Sequence, residues 1–84
     1  MNYTVIWVPL AENNLAAAWL AAPDRVAVTE AAHRLDQALA DDPFDIGRPR
    51  NSSVNRTAVE PPLGIDYEII EDDKTVRVLR AWLI

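Results

Sequence analysis

An α+β fold of order β-α-α-β-β-β is what this chain predicts, an antiparallel sheet packed on one face by a helical hairpin. Three observations carry the expectation. A short apolar run is closed by Pro9, two helical stripes separated by Pro23 follow it, and the last third alternates in the manner of a β-hairpin. At 84 residues the chain makes one domain, residues 1–84, near the size at which a single core only just suffices.

Tyr3 to Val8 read as the first strand, because aromatic and β-branched residues run together until Pro9 removes a ladder donor. Helix follows directly. Ala11, Leu15, Ala18 and Ala22 fall on one stripe, Trp19 and Leu20 widen it, and the Ala-rich centre raises intrinsic helicity. Pro23 ends that helix and Asp24 is placed to cap the next, whose stripe is Val28, Ala32, Leu35 and Leu39. Asp41-Asp42-Pro43 stops the second helix, and Phe44 to Ser53 has the Pro, Gly, Asn and Ser content of a surface loop. Arg56-Thr57-Ala58-Val59 begins a strand that Pro61-Pro62 ends. IDYEII, the polar turn Glu71-Asp72-Asp73-Lys74 and TVRVLRAWLI then form the closing hairpin.

Composition excludes several function classes. The chain has no Cys, so disulfides, thiolate metal sites and cysteine nucleophiles are absent together. Its single His33 has no partner for a metal site and reads as a surface or packing residue. With only Gly47 and Gly64, no nucleotide-binding loop can be written, so no cofactor is expected. Asp41-Asp42 and Glu71-Asp72-Asp73 sit where a helix stop and a turn use Asp for local backbone bonds. Trp7, Trp19 and Trp82 lie on predicted elements and are expected in the core. A formal charge of −5 argues against general nucleic-acid affinity. The opening MNYTVIWVPL has neither a basic leader nor an apolar run of spanning length, which points to a cytoplasmic protein without a membrane partner.

Arginines are the exception to the acidic balance. From Ile46 to Val59 there are Arg48, Arg50 and Arg56 and no carboxylate, and such a run is most simply a solvated loop, with partner or RNA binding as its functional reading. Arg56, Tyr67, Arg77 and Arg80 arrive on the late strands, where guanidinium groups can hold a phosphate. The plainer reading is solvent-face arginines and a Tyr with its ring in the core and its hydroxyl in water.

The order of these segments carries a resemblance. YTVIWVPLAENNLAAAWL, the Ala-rich helix closed by Asp-Asp-Pro, the Arg-bearing strand, PPLGIDYEI and TVRVLRAW together resemble the small toxins of the RelE/ParE superfamily of bacterial type II toxin-antitoxin modules, over essentially the whole chain. The resemblance implies a compact microbial RNase-like domain, a cognate antitoxin as partner, and one of two activities. One branch cleaves messenger RNA on the ribosome, and there Arg56 and Arg80 would bind phosphate with Tyr67 as base or orienting group. The other inhibits DNA gyrase by binding it, and there Arg48, Arg50, Arg56 and Arg77 would contact the partner. A member that has lost toxicity and persists as a binding partner is a third outcome. Glu68 follows Tyr67 where many members carry Arg or Lys, and TVRVLRAWLI lacks the His or Tyr that the RNA-cleaving branch often places there. Both departures lean towards a binding-type inhibitor.

Overall fold

Pro9 stands at the first position of a helix rather than merely at the end of a strand. Its missing N–H is one that no helix satisfies internally, so β1 (Thr4–Trp7) passes into α1 (Pro9–Ala21) within two residues. The computed structural model describes residues 2–84. The Asp24 side chain accepts from the Ala27 N–H at 3.1 Å and starts α2 (Arg25–Asp41), as its position predicts. Then come β2 (Arg48–Ser52), β3 (Asn55–Glu60), β4 (Leu63–Ile70), a short 3₁₀ turn at Glu71–Asp73, and β5 (Thr75–Leu83).

The α+β class and the one-sided helical hairpin stand as predicted; the sheet itself differs in two linked ways. It has five strands in the order β1-β5-β4-β3-β2, and β1 pairs with β5 in parallel while the other pairs are antiparallel. The extra strand is β2, lying where Pro, Gly and Asn predict a loop. All its residues are exposed, so no apolar alternation marks it. The parallel pairing follows from that strand. Two helices bring the chain back to the end of the sheet where β1 finished, so β2 runs against β1. Three hairpins then alternate direction, and β5 arrives running with β1. Without β2 the same alternation yields the antiparallel sheet expected from sequence.

One face of the sheet holds the core. Leu63, Ile65, Tyr67 and Ile69 of β4 and Val76, Val78 and Ala81 of β5 pack against Ala11 and Ala18 of α1 and Val28, Ala31, Leu35 and Leu39 of α2. The other face is bare, carrying Ile6, Arg48, Arg50, Thr57, Asp66, Glu68, Arg77, Arg80 and Trp82 by strand alternation and register. Trp82 is therefore not a core residue, and Trp19, on the outer side of α1, is not one either. Trp82 lies flat over Gly64, whose missing side chain leaves room for the ring; a Cβ there would stand 2.6 Å from it. Val5, Trp7 and Leu15 are half-buried at the margin of the core.

Leu35 is 2% exposed at the centre of the helix-sheet interface. Leu35→Ala is expected to lower the unfolding free energy by about 2–5 kcal/mol, because neighbours held by a sheet collapse only partly into the cavity. Urea unfolding monitored by circular dichroism measures this.

Candidate functional site

Arg56 and Tyr67 meet, but inside the protein. They are cross-strand partners on β3 and β4, on the core face, and both are buried. Arg56 Nε donates to the Tyr67 hydroxyl oxygen at 3.3 Å, and the Tyr67 O–H is shared between the carbonyls of Pro43 and Ile46, each 2.8 Å away. The guanidinium also donates to the carbonyls of Phe44 (3.2 Å), Ile46 (3.1 Å), Gly47 (3.2 Å) and Ser53 (3.2 Å). The three nitrogens of this fixed fork hold a loop whose backbone has no ladder of its own. Gly47 sits there at φ 73, and a Cβ on it would lie 2.8 Å from the Tyr67 hydroxyl.

This geometry brings together two of the three residues named as a possible catalytic set and leaves the third apart. Burial pushes the Tyr67 phenol up, and the nearby Arg56 guanidinium pulls back against it. A phenol held neutral, with its hydrogen bonds spent on backbone carbonyls, is not poised to act as a base. Arg80 stands on the opposite, bare face. Arg56, Tyr67 and Arg80 therefore do not converge on one exposed concavity, because adjacent β4 residues point to opposite sides of the sheet.

On the bare face, Arg50, Arg77 and Arg80 are tied to carboxylates. Arg80 Nη2 reaches Asp66 Oδ2 at 2.6 Å and Arg50 Nη1 reaches the same oxygen at 3.2 Å, while the Thr57 hydroxyl donates to Oδ1 at 2.7 Å. Arg77 pairs with Glu68 at 2.7 Å. Arg48 has no ion pair among the described residues. Desolvation raises the Asp66 carboxyl, but the hydrogen bonds from Thr57 and Arg80 and the charges of Arg50 and Arg80 outweigh it, and the net shift is below the ordinary carboxylate range. A depressed folded-state value stabilises the fold above the unfolded-state value near 4 and loses that contribution as pH falls through the folded value. Asp66→Asn is accordingly expected to flatten the acid limb of the stability-pH curve below about pH 4, as urea titrations across pH would record.

A second surface lies on the helical side, and sequence patterning did not mark it as a site. A groove of about 760 Å³ runs between α1 and α2 beside β1, lined by Trp7, Leu15, Trp19, Leu20, Val28 and Ala32 with Glu12 and Asp36 among its polar groups. Its origin is the composition of α1. Nine of its thirteen residues are Ala, Leu or Trp, so it is apolar around most of its circumference, whereas the sheet covers only the side of Ala11 and Ala18. Trp19 is 40% and Leu20 63% exposed in consequence. Trp7 Nε1 donates to Asp36 Oδ1 at 2.6 Å, fixing one wall. The signal lies in the sequence as an apolar helix too broad for one core, with Trp19 and Leu20 widening the stripe beyond what a sheet can cover. Among the described residues, no cluster of His, Asp or Glu is arranged to hold a metal ion, and no helix is long and apolar enough to cross a membrane.

No protein-family model matches the sequence, and no curated protein is significantly similar to it. Solved structures are similar in fold. The toxin-antitoxin complex RelBE2 of Mycobacterium tuberculosis contains a chain that matches with a TM-score of 0.79 and 23% identity, covering 100% of both chains. The chromosomal ParDE system of Pseudomonas aeruginosa matches at 0.72 and 15% identity over 98% of this chain and 96% of the other. The intact RelBE complex of Escherichia coli matches at 0.68 and 14% identity over the same shares, 98% and 96%. The fold predicted from the order of the segments is thus the fold found.

Proposed function

We propose that this chain, which has the RelE/ParE-like fold, is the toxin component of a toxin-antitoxin module and acts by binding a protein target rather than by cleaving RNA. The observation that carries the reading is the uncovered apolar groove between α1 and α2 on a fold shared with chains of toxin-antitoxin complexes. A groove between two helices suits an amphipathic helix, which lays anchors at every third or fourth residue along it. α1 and α2, with the Asp24 cap between them, carry Glu12, Asp24, Glu30, Asp36 and Asp41 against Arg25 and Arg34, so the partner helix is basic at its margins. An antitoxin with such a segment is the occupant this reading assigns.

Action on the target falls to the bare sheet face, which carries Arg48, Arg50, Arg77, Arg80 and Trp82. DNA gyrase is the target class the reading favours, with translation as the other. What weighs against the ribonuclease alternative is the burial of Arg56 and Tyr67 under the loop at residues 43–47. Induction in a bacterial host, with and without the neighbouring small open reading frame, tests the reading. Growth arrest with intact transcripts and inhibited gyrase supercoiling is the expected result. Ribosome-dependent transcript cleavage abolished by Arg80→Ala overturns the binding-type mechanism, and separate elution of the two proteins at micromolar concentration overturns the module.

A further inference from the structure

The bare sheet face contains an anion site already filled by the protein itself. Arg50 of β2, Thr57 of β3 and Arg80 of β5 direct two guanidinium groups and a hydroxyl at one point, and the Asp66 carboxylate of β4 occupies it. Both guanidinium groups converge on the same oxygen, Oδ2. That is the donor set that recognises a phosphate oxygen, drawn from three strands of one sheet. The Asp66 side chain is only 6% exposed beneath side chains that are themselves 32% and 59% exposed, so the carboxylate forms the floor and the arginines the open rim.

We propose that the Arg50-Thr57-Arg80 constellation is a phosphate site closed by Asp66, and that Asp66 is the residue that makes the sheet face reject polyanions. A phosphodiester approaching the rim meets a fixed negative charge at the place where its own charge would sit, and the arginines are already compensated. The neighbouring Arg77 is likewise matched, by Glu68, which leaves Arg48 as the arginine on this face without an ion-pair partner among the described residues. Selectivity for a protein over a nucleic-acid partner is thereby set by one carboxylate. The α1–α2 groove lies on the other layer of the molecule, so partner capture there is independent of this site.

The test uses the purified full chain, wild type and Asp66→Ala, melted in sodium phosphate or in sodium chloride of equal ionic strength. Binding of a fluorescein-labelled single-stranded RNA is followed by anisotropy at low salt. With the carboxylate gone, Arg50 and Arg80 face each other uncompensated. Phosphate is then expected to raise the melting temperature of Asp66→Ala beyond the chloride control, while leaving wild type at its control value. RNA is expected to bind Asp66→Ala at least about tenfold more tightly than wild type, since removing one charge beside the ligand is worth at least that at an effective surface dielectric. Adding Arg80→Ala should abolish both gains. Equal responses in wild type and variant, or none in either, overturn the proposal. Should Asp66→Ala fail to fold, wild type decides: the Nε–Hε signals of Arg50 and Arg80 stay fixed on RNA addition if the site is closed, and their displacement refutes it.

Discussion

Arg56→Met is expected to lower the unfolding free energy by about 3–5 kcal/mol, a large share of the 5–15 kcal/mol that folded domains typically possess. The side chain is 8% exposed and its guanidinium satisfies the carbonyls of Phe44, Ile46, Gly47 and Ser53 as well as the Tyr67 hydroxyl. A thioether fills similar volume and offers no donor. A carbonyl left buried without a partner costs about 1–3 kcal/mol; Ile46 keeps the Tyr67 O–H, and relaxation of Phe44, Gly47 and Ser53 towards water recovers part of the sum. Arg56→Lys should fall between the two, because a single ammonium cannot reach acceptors spread around a planar fork. Arg80→Ala provides the contrast. Its side chain is 59% exposed and its ion pair is partly wet, so about 1 kcal/mol or less is expected. Urea midpoints for the three variants give the ranking. If Arg56→Met unfolds at the wild-type midpoint, the arginine is not the staple of the loop at residues 43–47.

That role was not legible in the sequence, and the reason is specific. An Arg followed by Thr-Ala-Val on a strand looks the same whether its guanidinium meets solvent, a phosphate or carbonyls. The choice depends on Phe44, Ile46 and Gly47, which are 12, 10 and 9 residues away and come into reach only when the loop folds back. Tyr67 suffers the same ambiguity: its ring was expected in the core and is there, but its hydroxyl was expected in water and is sealed by Pro43 and Ile46. The helices were legible because their caps and stops are local. Asp24 caps through a residue three positions on, and Asp41-Asp42-Pro43 ends α2 where it stands. β2 was not, since an edge strand of Arg, Pro, Asn and Ser has no buried face to impose a period, and its charges and proline are what an exposed edge needs to resist further pairing. Face assignment failed at Trp82 because strict alternation from Val76 and Val78 puts it in the core, whereas the register shift that skips Leu79 between the Tyr67–Val78 and Asp66–Arg80 pairs carries Arg80 and Trp82 to the other face.

Trp19→Ala is expected to weaken capture of the groove's occupant by about 2–4 kcal/mol, a loss of roughly thirtyfold to a thousandfold in affinity, while shifting stability by less than about 1 kcal/mol. The asymmetry comes from position. Trp19 is 40% exposed in the isolated chain, so it contributes little to the core, yet it forms a wall of the groove with Leu20 and Trp7. Large aromatics at the centre of a desolvated contact dominate binding energy. The Arg25 guanidinium lies 4.7 Å from its ring centroid and donates to the Trp19 and Leu20 carbonyls, holding the end of α1 in place. Truncation removes the stacking but leaves those backbone contacts available, so the helix end should persist. The measurement can be read from the protein itself. Trp7 and Trp19 line the groove whereas Trp82 lies on the far face, so in a Trp82→Phe background a blue shift of emission reports filling of the groove alone. Capture of the co-expressed partner by Trp19→Ala at wild-type affinity refutes the groove as the docking site. Loss of capture accompanied by a collapse in the urea midpoint shows that Trp19 acts through stability and equally removes this argument. A retained midpoint with lost capture is the result that an unfilled apolar face between two helices demands.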